Sequence, residues 1–205
     1  MKVLPRSDNT LQLSRRLDWR FLLPEPHLRR VAYFGAPRNT LALALQQFSE
    51  ELILFENAEG NLEKPPQAGF DLAVLQAPTF AQLECAHAQL APRGYLYAEA
   101  QHAWEWRQAR TLPTRALNLP DIAEWQAALS RLGFIEIKAH WHRPTFERAV
   151  QIIPLHDAGA MDFVFNRRAE DLMSQLKFAT GRSLMKRAWL ARLLQCASLV
   201  ACKQE

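Results

Sequence analysis

Residues 31 to 40 read Val31-Ala32-Tyr33-Phe34-Gly35-Ala36-Pro37-Arg38-Asn39-Thr40, and a second apolar run, Leu52-Ile53-Leu54-Phe55, ends at Glu56. A short β-prone run that stops at a glycine, then a helix-like segment, then another apolar run ending in an acid, outlines a β-α-β nucleotide-binding unit. In such a unit the first strand delivers a turn to the ligand and the second delivers a carboxylate to a ribose. Gly35 and Glu56 lie 21 residues apart, close to the roughly 20 that this pairing requires. The turn itself departs from a dinucleotide fingerprint, because Pro37 and Asn39 stand where further glycines are wanted.

The chain has 205 residues, enough for one good core plus an appendage. Its hydrophobic share of 49% and charged share of 22% are those of a globular protein, which excludes a disordered or low-complexity chain. Three cysteines, Cys85, Cys196 and Cys202, have no metal-ligand spacing. Reduced thiols and a start without signal-peptide character lead to the expectation of a cytoplasmic protein. The net charge of +4 is unevenly placed. From Leu172 to Gln204 there are six basic residues and no acid, which leaves the remaining chain near −2. Basicity confined to a tail, without interleaved aromatics beyond Trp189, disfavours a nucleic-acid partner.

Along the chain, strands are expected at Val31–Phe34, Leu52–Phe55, Phe70–Gln76, Tyr95–Glu99 and Phe134–Ala139. Helices are expected to start at Asn39 or Thr40, at Pro78–Thr79 and at Asp121, the last closed by Gly133. Two short strand candidates, Val150–Ile153 and Phe163–Phe165, follow at hairpin distance. Residues 1–28 read as a lead-in that packs Trp19, Phe21, Leu22 and Leu23 onto the domain. The expected architecture is α/β: a Rossmann-like, mostly parallel sheet with an antiparallel edge over residues 29–166, and a basic helical extension over 167–205.

The order of these pieces resembles the class I S-adenosylmethionine-dependent methyltransferases. Gln89-Leu90-Ala91-Pro92-Arg93-Gly94-Tyr95-Leu96-Tyr97 is similar to that family's helix, turn and fifth strand. Ser130-Arg131-Leu132-Gly133-Phe134-Ile135-Glu136-Ile137 is similar to its Leu-Gly-Phe entry to the sixth, and Phe70-Asp71-Leu72-Ala73-Val74 to the strand that runs to the reaction centre. The resemblance implies S-adenosylmethionine as cofactor. Glu56 would then bind the ribose, Gly35, Ala36 and Pro37 would flank the methionine part, and Gln76, Ala77 and Pro78 would face the transferred methyl. It also shows what is missing: Tyr33 stands at the family's acidic position, and Pro37 and Asn39 at two of its glycines.

His140 and His142 form, with Trp141, the densest cluster of reactive groups. On a strand they share one face, and they are candidates for a general base beside the acceptor. Without a convincing third ligand they are not read as a metal site. The expected function is methyl transfer to a small molecule or peptide in a biosynthetic pathway. The alternative is an inactive methyltransferase-like protein that scaffolds another enzyme. Residues 172–205 are the candidate surface for a protein partner, for self-association or for peripheral contact with an acidic membrane.

Overall fold

The computed structural model describes residues 6–55, 69–101, 121–166 and 196–205. Among these residues the elements are α1 (Arg6–Arg15), a 3₁₀ turn (Asp18–Leu22), β1 (Arg30–Phe34), α2 (Thr40–Phe48), β2 (Glu51–Phe55), β3 (Phe70–Gln76) and α3 (Phe80–Gln89). They continue with β4 (Leu90–Gln101), α4 (Ile122–Arg131), β5 (Phe134–Arg143), β6 (Gln151–Pro154), α5 (Ala158–Asn166) and β7 (Cys196–Lys203). The strands form one sheet in the order β2-β1-β3-β4-β7-β5-β6. β2, β1, β3 and β4 run parallel. β7 is antiparallel to both of its neighbours, and β6 is antiparallel to β5.

Local chemistry explains the helix ends. Asn39 caps α2 by accepting from the Ala42 amide at 2.7 Å. Thr79 with Gln82, and Asp121 with Glu124, form reciprocal capping boxes at the starts of α3 and α4. After α4 the chain reverses through Gly133 at φ +91°, a left-handed value that glycine adopts without Cβ strain.

The period-2 alternation of the strands sorts side chains to two faces. Ala32, Phe34, Ala73, Leu75, Leu96, Ala98 and Leu199 pack under Leu83 of α3 and Trp125 and Leu129 of α4. Val31, Tyr33, Leu72, Val74, Tyr97 and Val200 pack under Leu17, Trp19, Leu41 and Leu45 from the lead-in and α2. Trp19 and Leu23 are buried as expected, whereas Phe21 is 65% exposed and lies beneath the Arg20 guanidinium.

Two sequence expectations need correction. Phe163–Phe165 is not a strand but part of α5, which sets Met161 and Val164 against Ile153. The lead-in contains a regular helix, α1, ahead of the prolines. The largest correction concerns the tail: Cys196–Lys203 is not helical but a strand inserted between β4 and β5. Ala197-Ser198-Leu199-Val200-Ala201-Cys202 is buried on both faces, and such a run has no alternation to separate it from a buried helix. This part of 172–205 is sheet interior and offers no docking face. Residues 172–195 lie outside the described residues, as do Glu56, Trp104 and Trp106. No described helix is long and apolar enough to cross a membrane.

Because β7 joins β5 and β6 to the rest of the sheet, a chain ending at residue 195 is expected not to fold, losing its near-ultraviolet circular dichroism. A preserved signal would contradict this placement. The milder Leu199→Ala is expected to cost about 2–5 kcal/mol in denaturant unfolding.

Candidate functional site

β1 leads through α2 to β2 on one side, and the chain then crosses back to β3 on the other side of β1. That reversal is a topological switch point, and in open α/β sheets ligands lie in the crevice it opens beyond the carboxyl ends of the strands. The crevice here is bordered by Gly35, Ala36 and Pro37 after β1 and by Gln76, Ala77 and Pro78 around the end of β3. The structure thus brings six of the seven expected cofactor residues together; Glu56 is not described.

Ala36, Pro37 and Ala77 are exposed, Gly35 and Gln76 are half-buried, and Pro78 is buried. Ala77 holds a left-handed φ of +50° while its amide donates to the Glu99 carbonyl at 3.0 Å. Such a conformation is uncommon for alanine and is found where the surroundings over-determine it, functional sites included. The glycine is explained by the protein's own side chain. A Cβ on Gly35 would come within 2.5 Å of the Tyr33 hydroxyl and 3.1 Å of Gln76 Cβ. Asn39 Nδ2 donates to that hydroxyl at 2.6 Å and also to Gln76 Oε1. Tyr33, Asn39 and Gln76 therefore form a neutral hydrogen-bonded knot behind the turn, with Tyr33 at the family pattern's acidic position and Asn39 at one of its glycines.

A row of buried polar groups extends from this knot across the sheet. Gln76 is the register partner of Glu99, Glu99 of Ser198 and Ser198 of His140. All four strands present these residues to the face covered by the lead-in. Arg16, which follows α1, reaches down onto Glu99 through Nη1 at 2.6 Å and Nη2 at 2.7 Å, a bidentate pair 3% and 2% exposed. The Tyr97 hydroxyl donates to the same carboxylate at 3.1 Å, and Trp19 stacks on the Tyr97 ring at 3.8 Å. Burial pushes the Glu99 carboxyl up and Arg16 pulls it back down, with burial prevailing. Burial also works against the Arg16 charge, but Glu99 more than offsets it and holds the guanidinium protonated.

His140 and His142 lie on this face as expected, with Trp141 on the other. His142 Nε2 is 2.8 Å from Ser198 Oγ and its ring is tilted against Phe146. Burial, helped by the nearby His140 and Arg16 charges, pushes His142 down to about 3. Burial and then His156 and Lys138 push His140 down to about 4. Both imidazoles are neutral at pH 7 and buried, His142 at 2% and His140 at 5% exposure.

Sequence reasoning missed Arg16, Tyr97, Glu99 and Ser198. A carboxylate at the end of a nearly continuous apolar strand is itself a signal, because a buried acid requires a cation. Which cation could not be read, since Arg16 is 83 residues away.

Above the row, residues of α1, the start of α2 and the segment after β5 enclose a cleft of ≈ 690 Å³ with Arg16 in its lining.

No known family profile matches the sequence, and no curated protein does. Solved structures do match. An S-adenosylmethionine-dependent methyltransferase from Archaeoglobus fulgidus superposes with a TM-score of 0.54 at 13% identity, over 94% of this chain and 94% of that one. The fold is that of the class I S-adenosylmethionine-dependent methyltransferases. An S-adenosylmethionine-dependent methyltransferase from Thermotoga maritima, described as a possible histamine N-methyltransferase, matches with a TM-score of 0.50 at 13% identity, over 95% and 90%. The crevice presents an exposed turn, with the small uncharged side chains of Ala36 and Ala77 at its rim. Its oxygen acceptors, Gln76 and Tyr33, are neutral, and the carboxylate in the row is committed to Arg16.

Removing one partner leaves a buried charge, so Arg16→Met and Glu99→Leu are each expected to cost about 3–5 kcal/mol. The double variant Arg16→Met/Glu99→Leu regains most of it in denaturant unfolding; additive losses would show that the two do not act as a pair. The histidines give a separate pH signature. Below the unfolded value of 6.5 the unfolded chain gains protons that native His142 refuses until about 3, so stability falls as pH drops through that window. His142→Gln is expected to flatten the decline by on the order of 3 kcal/mol between pH 6.5 and about 4, read from urea midpoints across pH.

Proposed function

We propose that this protein binds S-adenosylmethionine in the crevice between β1 and β3 and transfers its methyl group to a small acceptor held in the neighbouring cleft. The observation that carries the reading is the solvent-open turn at the switch point, with Ala36, Pro37 and the left-handed Ala77 at its rim. When bound, the cofactor supplies a methyl group on a positively charged sulfur, and such a transfer asks little of the protein beyond in-line positioning. Gly35, Ala36 and Pro37 would flank the methionine part, Glu56 would bind the ribose, and Gln76, Ala77 and Pro78 would face the methyl group. The chain's own contribution is to hold two ligands in contact and to keep water out. Trp19, Tyr97 and the Arg16–Glu99 pair seal the floor behind them.

A second reading, a non-catalytic member of the fold that binds a protein partner, is favoured by the knot of Tyr33, Asn39 and Gln76. In that knot the Tyr33, Asn39 and Gln76 side chains answer one another without a ligand.

Isothermal calorimetry with S-adenosylmethionine and S-adenosylhomocysteine separates the two. Micromolar binding, weakened about tenfold or more in Glu56→Ala as one charge-assisted hydrogen bond is lost, is the expected result. No heat from folded protein would overturn the cofactor site and leave the scaffolding reading.

A further inference from the structure

The knot behind the turn fixes the polarity of a side chain at the crevice. In α2 the Ala42 backbone amide donates to Asn39 Oδ1 at 2.7 Å. A backbone N–H can only donate, so the helix itself decides which end of the Asn39 amide is oxygen. Nδ2 is then the end left over, and it donates to the Tyr33 hydroxyl at 2.6 Å and to Gln76 Oε1. The Tyr33 hydroxyl also lies 3.2 Å from Gln76 Oε1, which can accept its one hydrogen. Turning the Gln76 amide over would set its N–H groups against those of Asn39. Gln76 therefore keeps its oxygen in the knot, and the cap of α2 holds it so.

Nε2 is what Gln76 has left, and among the described residues it has no acceptor. The side-chain atoms that are both buried and unpartnered lie on Arg16, Trp19, Gln89, Trp125 and His140, so Gln76 Nε2 reaches solvent. Gln76 closes β3 and lies against the turn after β1, where a Cβ on Gly35 would come within 3.1 Å of Gln76 Cβ. The open donor thus belongs to the crevice. The other residues placed there, Gly35, Ala36, Pro37, Ala77 and Pro78, carry no ionisable side chain.

We infer that Gln76 is a donor-only specificity residue, and that the group it takes in the crevice is a carboxylate oxygen. The inference rests on the methyltransferase reading for the identity of the ligands, though not for the polarity of the site. Two ligands can supply the carboxylate, the cofactor through its methionine part or the methyl acceptor. An ammonium has no lone pair to offer Nε2, and a neutral amine has only one, which the contact would consume. A hydroxyl acceptor would need a base to take its proton. A carboxylate accepts from Nε2 and keeps further lone pairs. As the methyl acceptor it forms the new O–C bond with one of them while the pair of the broken S–C bond stays on sulfur. The products are a methyl ester and a neutral thioether, with no proton to remove.

Gln76→Glu tests this with little change of shape: one oxygen still faces Asn39 and Tyr33, and a negative oxygen replaces Nε2. The full chain and this variant are titrated by calorimetry with S-adenosylhomocysteine and with its decarboxylated analogue, which keeps the amine. Butyrate with butylamine, and benzoate with benzylamine, are compared by saturation-transfer NMR, with and without saturating S-adenosylhomocysteine. If the carboxylate is the cofactor's, S-adenosylhomocysteine is expected to bind about tenfold or more tightly than the decarboxylated analogue, the effect of one charge-assisted hydrogen bond. If it is the acceptor's, the two nucleosides bind alike and each carboxylate binds about tenfold or more tightly than its amine. In either case Gln76→Glu removes the preference, whereas a purely structural Gln76 would weaken both members of a pair together. Asn39→Ser keeps a capping oxygen on α2 but has no Nδ2 to hold the amide, and is expected to reduce the same preference. No carboxylate preference in either comparison, or one that survives in every variant that folds, would overturn the inference. Absence of nucleoside binding, with a carboxylate preference that Gln76→Glu abolishes, overturns the methyl-transfer reading and leaves the donor site standing.

Discussion

Strand β7 is hydrogen-bonded along both of its edges, to β4 on one side and β5 on the other, and it holds the two halves of the sheet together. Without it β5 and β6 have no described link to the other strands, the β5 histidines have no Ser198, and the polar row breaks between Glu99 and His140. A strand in that position must satisfy donors and acceptors on both sides and pack on both faces. Small apolar side chains such as Ala197, Ala201 and Cys202 meet this condition where larger ones would collide with the helical layers. The last residues of the chain are therefore among its most constrained, and the crevice is only as well built as their pairing.

The second constraint is the polar row that this sheet carries under the lead-in. Buried polar groups are costly unless each is answered. Arg16 answers Glu99, Tyr97 adds a third contact and Ser198 answers His142. Buried ion pairs of this type give little net stability compared with apolar packing, but breaking one is severe. The pair thus acts more as a register mark than as an adhesive, fixing where the segment before β1 crosses the sheet. Trp19 stacked on Tyr97 places the apolar part of the same crossing two residues along β4.

Much of this architecture was legible in the sequence, and the failures have physical causes. β1, α2, β3 and α4 were readable because apolar runs and capping residues coincide there, as at Asn39 and Asp121. The ends of β1 and β3 were readable at Gly35 and at Gln76–Pro78, since a strand that stops at glycine or proline is a local feature. β7 was misread because a strand buried on both faces has no period, and alanine-rich runs favour a helix when judged locally. The Arg16–Glu99 pair was invisible for a different reason: it joins residues brought together only by the tertiary fold. Gly35 was legible as a turn, but its cause was not. The close approach of the Tyr33 hydroxyl, rather than a ligand, is what excludes a Cβ there.

The central claim is that a turn backed by Tyr33, Asn39 and Gln76, instead of an acid and glycines, still presents a usable surface to S-adenosylmethionine. The most direct test is a crystal structure grown in saturating S-adenosylhomocysteine. The ligand is expected with its methionine part over Gly35–Pro37, its ribose at Glu56 and its sulfur toward Gln76–Pro78, beside an open cleft. A crevice without ligand at saturating concentration, with the Tyr33–Asn39–Gln76 knot unchanged, would contradict it.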